Sequence, residues 1–311
     1  MNKPLAAVMY DYGARDTIKI EPVKRPEVSP GKVIVEIKAA AVNPLDWKLR
    51  DGIFKDLFPL NLPCVLGMEF AGDIVEVGEG VTNFKVGDRV IGKSVNYGAF
   101  AETIEITPEL LILTPDNLDD SVAATLPVAG LTAWTGLFDI GELKSGETVL
   151  IQGAAGGVGS LAVALAHRAG AKVIATASKK NRDYVKSLGA AEVIDYSDPE
   201  ALSQINDVDL ILDLVGGKPL TALWSVLTPN GRIASAVEVD IAEKKPGGQP
   251  GKGTFYQMKY NGAVLSSIAK DIAKGEIPCA PPREFSLNDT SLALDSVKSG
   301  VYRGKTVIRM K

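Results

Sequence analysis

Three glycines at three-residue spacing, Gly153, Gly156 and Gly159, follow an apolar run at 148–152 and lead into an apolar stretch at 161–169, after which a second apolar run spans 172–176. Strand, glycine turn, helix and strand make one βαβ unit, the setting in which a glycine triplet has chemical meaning. A glycine at 153 permits a tight turn. One at 156 lets the backbone approach a diphosphate, and one at 159 lets the helix pack close to the strand. Gly157 and Val158 complete the turn, so the free N–H groups and positive dipole end of a helix face an anion. A glycine turn of this kind also serves merely to save space. The agreement of the flanking elements favours dinucleotide binding.

The end of the second apolar run bears on which dinucleotide. A site for NAD places Asp or Glu about 20 residues past the fingerprint to hold the ribose 2′-hydroxyl. Between Ala171 and Arg182 there is no acidic residue; Ser178, Lys179, Lys180, Asn181 and Arg182 stand there instead. A hydroxyl, an amide and several cations suit a 2′-phosphate. The alternative is a solvated basic helix start. Cations oppose the dipole at a helix N-terminus, however, and a bound phosphate resolves that conflict. The expected cofactor is NADPH rather than NADH.

The chain has 311 residues, 46% of them hydrophobic and 23% charged, with a formal net charge of −4. These values describe an ordinary globular protein of two domains and argue against nucleic acid or an anionic membrane as the main partner. No apolar run reaches the roughly 18 residues that span a bilayer, and no targeting signal is visible, so the expected compartment is cytoplasmic. The two cysteines, Cys64 and Cys279, form no CxxC pair and read as small apolar residues.

Residues 1–122 have a β-rich pattern, with expected short strands at 6–10, 17–21, 32–39, 69–77 and 89–91 separated by glycine turns. A short helix at 44–51 interrupts them. Asn43 is placed to cap it, Pro44 falls at its first position and Asp46 three residues after the cap. From 123 to 259 helices and strands alternate, which implies a parallel sheet covered on both faces. Expected helices lie at 129–138, 182–188 and 219–227; expected strands lie at 192–194, 210–214 and 232–237. The stretch 244–253, KKPGGQPGKG, reads as a mobile loop, either a lid or a solvated excursion. An edge strand at 254–259, helices at 262–274 and 289–299 and a closing strand at 305–310 complete the reading. The tail at 260–311 resumes the character of the N-terminal part.

Several runs then resemble a known family. Residues 39–48 (AAAVNPLDWK), 67–72 (GMEFAG), 84–90 (FKVGDRV), 98–102 (GAFAE), 131–133 (LTA), the glycine loop, 261–265 (NGAVL) and 304–307 (GKTV) are similar to motifs of the medium-chain dehydrogenases/reductases, in the quinone and enone oxidoreductase branch. The resemblance covers essentially the whole chain. It implies an α/β protein with a GroES-like β-rich catalytic domain (1–122 with 260–311) and a Rossmann, doubly wound NADPH-binding domain (123–259). Homodimerisation through edge strands is a further implication. Zinc-dependent members carry a Cys in the first segment and a His before the Glu in the second. Those positions fall here on Pro44 to Asp46 and on Met68, the four-cysteine lobe is missing, and His167 is the one histidine, set mid-helix and read as structural. No metal is expected, since a catalytic zinc needs about three protein ligands.

Hydride transfer to an electron-poor C=C or a quinone requires orientation and a donor for the oxygen that becomes negative. Lys48, one helical turn from Asn43, matches a lysine of the enone-reducing branch and is the first candidate for that donor; a solvated helix lysine is the alternative. Quinone reductases of the bacterial type often have tyrosines where this chain has Lys48 and Phe54, which favours enones. Asn43 and Asp46, besides capping the helix, are candidates for shaping the nicotinamide pocket, and Tyr97 is a candidate for lining the substrate or donating a proton, with a half-buried loop aromatic as the alternative. Thr132 matches a position near the carboxamide and Tyr196 one near the adenosine phosphate. Gly304 and Lys305 fall in a segment that resembles the enone-reductase tail and are assigned to the cofactor. The expected substrate is a small enone or quinone. A non-catalytic NADPH-binding, crystallin-like role is the competing class.

Overall fold

The computed structural model describes residues 3–198, 200–201 and 204–310. The chain divides into two units, Met1–Pro127 with Gly262–Lys274 and Ala280–Lys311, and Val128–Asn261 with Gly275–Cys279. The first unit thus runs a few residues past 122, and a short piece of the C-terminal region belongs to the second.

The first unit holds two sheets. Strands β1 (Leu5–Met9), β2 (Ile18–Pro22) and β4 (Cys64–Val65) form the smaller one, with β1 central. The larger one is built around β3 (Val33–Val42). One edge of β3 carries β5 (Glu69–Val77), then β6 (Arg89–Lys93) and β8 (Leu111–Leu113). Its other edge is shared: β7 (Thr103–Ile106) pairs with Val33 to Glu36, and β16 (Thr306–Arg309), flanked by β15 (Arg283–Ser286), pairs with Ala39 to Val42. One ten-residue strand therefore ties the C-terminal tail to the N-terminal barrel. The alternation in β3 is nearly all apolar because both of its faces are covered, with Val33, Val35, Ile37 and Ala40 in a core that includes Phe70, Phe100 and Leu294. Helix α1 (Pro44–Arg50) leaves the end of β3. Helix α2 (Asp120–Ala124) follows β8 and contacts β3 and β5.

In the second unit strands β9 (Thr148–Ile151), β10 (Lys172–Ala177), β11 (Glu192–Asp195), β12 (Val208–Asp213), β13 (Leu227–Ser235) and β14 (Lys252–Phe255) form an all-parallel sheet in the order β11-β10-β9-β12-β13-β14. The order reverses between β9 and β12, and at such a switch point loops part to leave a crevice at the carboxyl ends of the strands. Helix α4 (Gly157–Arg168) follows β9, and its residues Gly159 to Ala166 are buried.

Three expected elements differ. The helix at 129–138 is α3 (Leu126–Trp134), which widens into a π turn over Thr135–Ile140 with Gly141 N–H donating to the Gly136 carbonyl. Tyr256 and Leu212 press so close to Gly136 that a Cβ there would meet the Tyr256 hydroxyl at 2.3 Å. The helix at 219–227 ends at Leu223, and β13 starts at Leu227 because Leu227 and Arg232 pair with Val208 and Leu210, bulging the residues between. The loop at 244–253 yields its last two residues to β14, and it is held by Lys244 ion-paired to Glu238 and Asp240 and by Lys245 Nζ on the Gly251 carbonyl.

The tightest strand contact gives a direct test. At Gly72 on β5 a Cβ would stand 2.1 Å from the Glu36 carbonyl oxygen of β3, and backbone cannot rotate away. Gly72→Ala is expected to cost roughly 1–3 kcal/mol, read as a lowered Tm in thermal unfolding. An unchanged Tm would mean that β3 and β5 are not packed this closely.

Candidate functional site

In the first unit the site grows from the start of α1. Asn43 is extended (φ −116°, ψ 157°) and its N–H donates to Asp46 Oδ2 at 2.7 Å, closing one half of a capping box. Its side chain lies on a buried ion pair. Nδ2 donates to Glu69 Oε1 at 2.9 Å, and Oδ1 accepts from Lys305 Nζ at 2.6 Å. Lys305 Nζ also donates to Glu69 Oε1 at 2.7 Å, with Glu69 fully buried. Gly304, at φ +71°, makes the turn that delivers Lys305 to this place. Lys305, read from sequence as a cofactor residue, is thus a member of the Asn43 cluster.

Glu69 was not among the candidates from sequence. The available signal was a single carboxylate inside the apolar run Gly67 to Gly72, at the start of a strand whose first four residues are buried.

Asp46 is fully buried, and its Oδ1 has no hydrogen-bond partner among the described residues. Burial pushes its pKa up to about 7, with the Asn43 N–H and the Lys305 ammonium opposing the rise and the Glu69 charge adding to it. The Gly67 N–H lies near enough to oppose it slightly. Tyr97 is a non-glycine residue in the left-handed region (φ 60°), held there by Ser94 Oγ donating to its carbonyl at 2.6 Å and by Gly98 N–H on the Val65 carbonyl at 3.0 Å. Burial raises the pKa of its hydroxyl, and Asp46 and Cys64 add to the rise, so it remains protonated in the neutral range. Burial lowers Lys93, and Glu69 opposes the shift.

Lys48 stands apart from this cluster. It is half-buried, with its ammonium 5.8 Å from the centroids of both the Trp47 and Phe54 rings. Among the described residues no carboxylate forms an ion pair with it.

In the second unit the glycine loop lies after β9 at the switch point. Gly153 has φ +66°, and Gly156 caps α4 in an extended conformation. A Cβ at Gly159 would lie 2.3 Å from the Gly153 carbonyl oxygen, so only glycine lets α4 close on the loop. The N–H groups of Gly157, Val158 and Gly159 open the helix, where they lack intrahelical partners. This cradle fits a pyrophosphate. At the end of β10, Ser178 begins a 3-10 turn over Lys179–Asn181, Asn181 Nδ2 donates to Ser178 Oγ at 3.1 Å, and Lys179 and Lys180 are exposed. The parallel register sets Ala177 beside Asp195, which brings Tyr196, 61% exposed, next to Ser178. Asp195 is the acidic residue that sequence reading passed over. It accepts from the Ser197 N–H and hydroxyl and lies near Lys179. Thr132, on α3, gives its carbonyl to the Tyr256 hydroxyl at 3.1 Å. His167 is exposed and packs against Gly189. Among the described residues no group of three or more His, Cys, Asp or Glu is placed to hold a metal ion.

A parallel sheet with a glycine cradle at its switch point, in a chain that also builds a β-rich unit, defines a class of two-domain nicotinamide-dependent oxidoreductases. Residues 29–116 match the family model of the alcohol dehydrogenase GroES-like domain, and residues 188–308 that of zinc-binding dehydrogenase. A chloroplast envelope quinone oxidoreductase homolog of Arabidopsis thaliana is 35% identical over 244 residues, 74% of each chain. An NADPH-dependent alkenal/one oxidoreductase of the same plant is 37% identical over 74% of this chain and 65% of its own length. The solved quinone oxidoreductase from Coxiella burnetii aligns with a TM-score of 0.90 at 31% identity, over 99% of this chain and 100% of that one. The chain belongs to the medium-chain dehydrogenase/reductase superfamily, in its quinone and enone oxidoreductase branch.

The raised pKa of Asp46 sets a pH dependence. Its carboxyl titrates near 3.8 when unfolded and near 7 when folded. The stability it contributes is therefore present below the unfolded value and lost as pH rises through about 7. Asp46→Asn keeps an acceptor for the Asn43 N–H and never ionises. It is expected to raise Tm relative to the parent at mildly alkaline pH and much less at acidic pH, by several degrees on the order that a shift of this size implies. A Tm difference that stays constant with pH would show that Asp46 does not titrate in this range.

Proposed function

We propose that this protein is an NADPH-dependent reductase of α,β-unsaturated carbonyl compounds. The observation that carries this reading is the contrast between two lysines of the first unit. Lys305 is neutralised by the buried Glu69, whereas Lys48 lies over two aromatic rings without an ion-pair partner among the described residues. A cation left without an internal counter-charge is available to an oxygen that becomes negative during reaction. The similarity to an alkenal/one oxidoreductase supports the same substrate class.

The nicotinamide, when bound, supplies the hydride. The residues of the chain do the rest. Gly156 to Gly159 would hold the pyrophosphate, and Ser178, Lys179, Lys180, Asn181 and Tyr196 would take the 2′-phosphate end. Thr132 serves the nicotinamide side. The cluster of Asn43, Asp46, Glu69 and Lys305 fixes where α1 begins, and α1 aims Lys48. The Lys48 ammonium would donate a hydrogen bond to the substrate carbonyl oxygen and match the negative charge that reduction places there. The Tyr97 hydroxyl, kept protonated by its surroundings, gives its proton to the α-carbon. Reduction of quinones is the second reading, favoured by the names of the relatives that share about a third of this sequence. There the same ammonium would meet a quinone oxygen. We further propose a homodimer paired through a free edge of the six-stranded sheet, β11 or β14, and a soluble cytoplasmic location.

Oxidation of NADPH, followed by its absorbance, with a vinyl ketone and with a benzoquinone tests this assignment. Lys48→Ala is expected to lower kcat for the enone by ~10²-fold, the scale of one lost oxyanion donor. Turnover of the quinone alone, insensitive to Lys48→Ala, would replace the enone reading with the quinone one. Tight NADPH binding without turnover of either would leave a non-catalytic binding protein. In the same assay Lys179→Glu with Lys180→Glu should raise KM for NADPH about tenfold or more and leave KM for NADH near its parent value. Equal effects on both cofactors would remove these lysines from the 2′-phosphate site.

A further inference from the structure

The segment that follows α1 presents apolar side chains to water. Ile53 is 56% exposed, Leu57 73% and Phe58 51%. Single exposed aliphatics are ordinary, but three within six residues make a patch, and such patches mark contact surfaces. The segment is ordered. Asp51 N–H donates to the Trp47 carbonyl, Ile53 to Lys48, Leu57 and Phe58 to Phe54, and Leu60 N–H to Tyr12 Oη, all at 2.7–3.0 Å. The Phe54 and Phe58 rings pack edge to face with centroids 6.1 Å apart. Successive turns thus hold Leu57 and Phe58 outward. The strip is continuous with the candidate site, because the Lys48 ammonium lies 5.8 Å from the Phe54 ring.

A cation at one end of an apolar strip matches an amphiphile with a carbonyl head and a hydrocarbon body. Two cations beside the strip are engaged internally, Arg50 with Asp51 and Asp295 and Lys298 with Asp51, and so give little hold to an anionic bilayer. We propose that Ile53, Phe54, Leu57 and Phe58 bind the hydrocarbon tail of the substrate whose carbonyl meets Lys48. The preferred enones or quinones then carry an alkyl or isoprenoid chain. This inference rests on the role given to Lys48 above.

The test uses the full-length protein and a homologous series of vinyl alkyl ketones, with tailed benzoquinones as a parallel series that separates the two sources of the same tail. We expect kcat/KM to rise about two- to threefold per added methylene until the strip is covered. The calorimetric Kd of the matching saturated ketones, which have no C=C to reduce, should fall by the same factor. In Leu57→Ser with Phe58→Ser the long-to-short ratio of both quantities should collapse. Val86→Ser, which replaces a valine 62% exposed in the turn between β5 and β6, should keep the parent ratio. Turnover of short and long ketones at equal efficiency would overturn the tail site and leave the enone reading intact. A chain-length dependence of Kd without turnover of any ketone would support the tail site and sink the enone reading. An unchanged ratio in the double variant, together with lost vesicle binding or a changed oligomeric state, would overturn the proposal in favour of a lipid surface or a second copy.

Discussion

The buried pair of Lys305 and Glu69 closes the first unit on itself. The two residues are 236 positions apart, one on the approach to the last strand and the other at the head of β5. Removing both charges from water costs several kcal/mol per ion, and only short, well-directed contacts offset that. Asn43 supplies them by accepting from the ammonium and donating to the carboxylate. Removing one partner would leave the other charge buried and uncompensated, which is far more damaging than replacing the pair as a whole. Because Asn43 also opens α1, this interaction determines where α1 starts and thereby where Lys48 is carried.

Asp46 shows what such a cluster imposes on its neighbours. It sits one helical turn inside α1, deprived of water, with one carboxylate oxygen used by the cap and the other without a hydrogen-bond partner among the described residues. The Lys305 charge favours ionisation while burial and the Glu69 charge oppose it, and burial dominates. Tyr97 feels the same surroundings and keeps its proton. Lys48 and Tyr97 thus differ in kind: the ammonium has no carboxylate ion-paired to it among the described residues, and the phenol stays neutral.

The second unit depends on a steric constraint. At the switch point of the parallel sheet, α4 approaches its own entry loop so closely that Gly159 has no room for a Cβ. That approach leaves three consecutive N–H groups at the mouth of a helix, a fixed partial positive charge for a phosphate. The turn after β10 adds the full charges of the exposed Lys179 and Lys180, while Asp195 and its serine hold the neighbouring strand end.

Much of this was legible in the sequence where the determinants are local. The glycine spacing between two apolar runs, the alternation of helix and strand, the capping signals around Asn43 and the lack of acid after β10 depend on neighbours within about 30 residues of one another, the span of one βαβ unit. Together with the family resemblance they sufficed for the class of protein and for the place of the glycine turn after β9. The π turn at Thr135–Ile140 and the bulge in β13 were hidden, because each answers to a distant partner, Tyr256 for one and the register against β12 for the other. The same holds for the two lysines. Lys48 and Lys305 are equally polar in a list of residues. Only the pairing of β16 with β3 and of β3 with β5 brings Lys305 to Glu69, whereas among the described residues no carboxylate is ion-paired to Lys48. Sequence by itself determined which residues have the chemistry; tertiary structure decided which charge is consumed inside the protein, since electrostatic energy depends on distance in space and on access to water, not on separation along the chain.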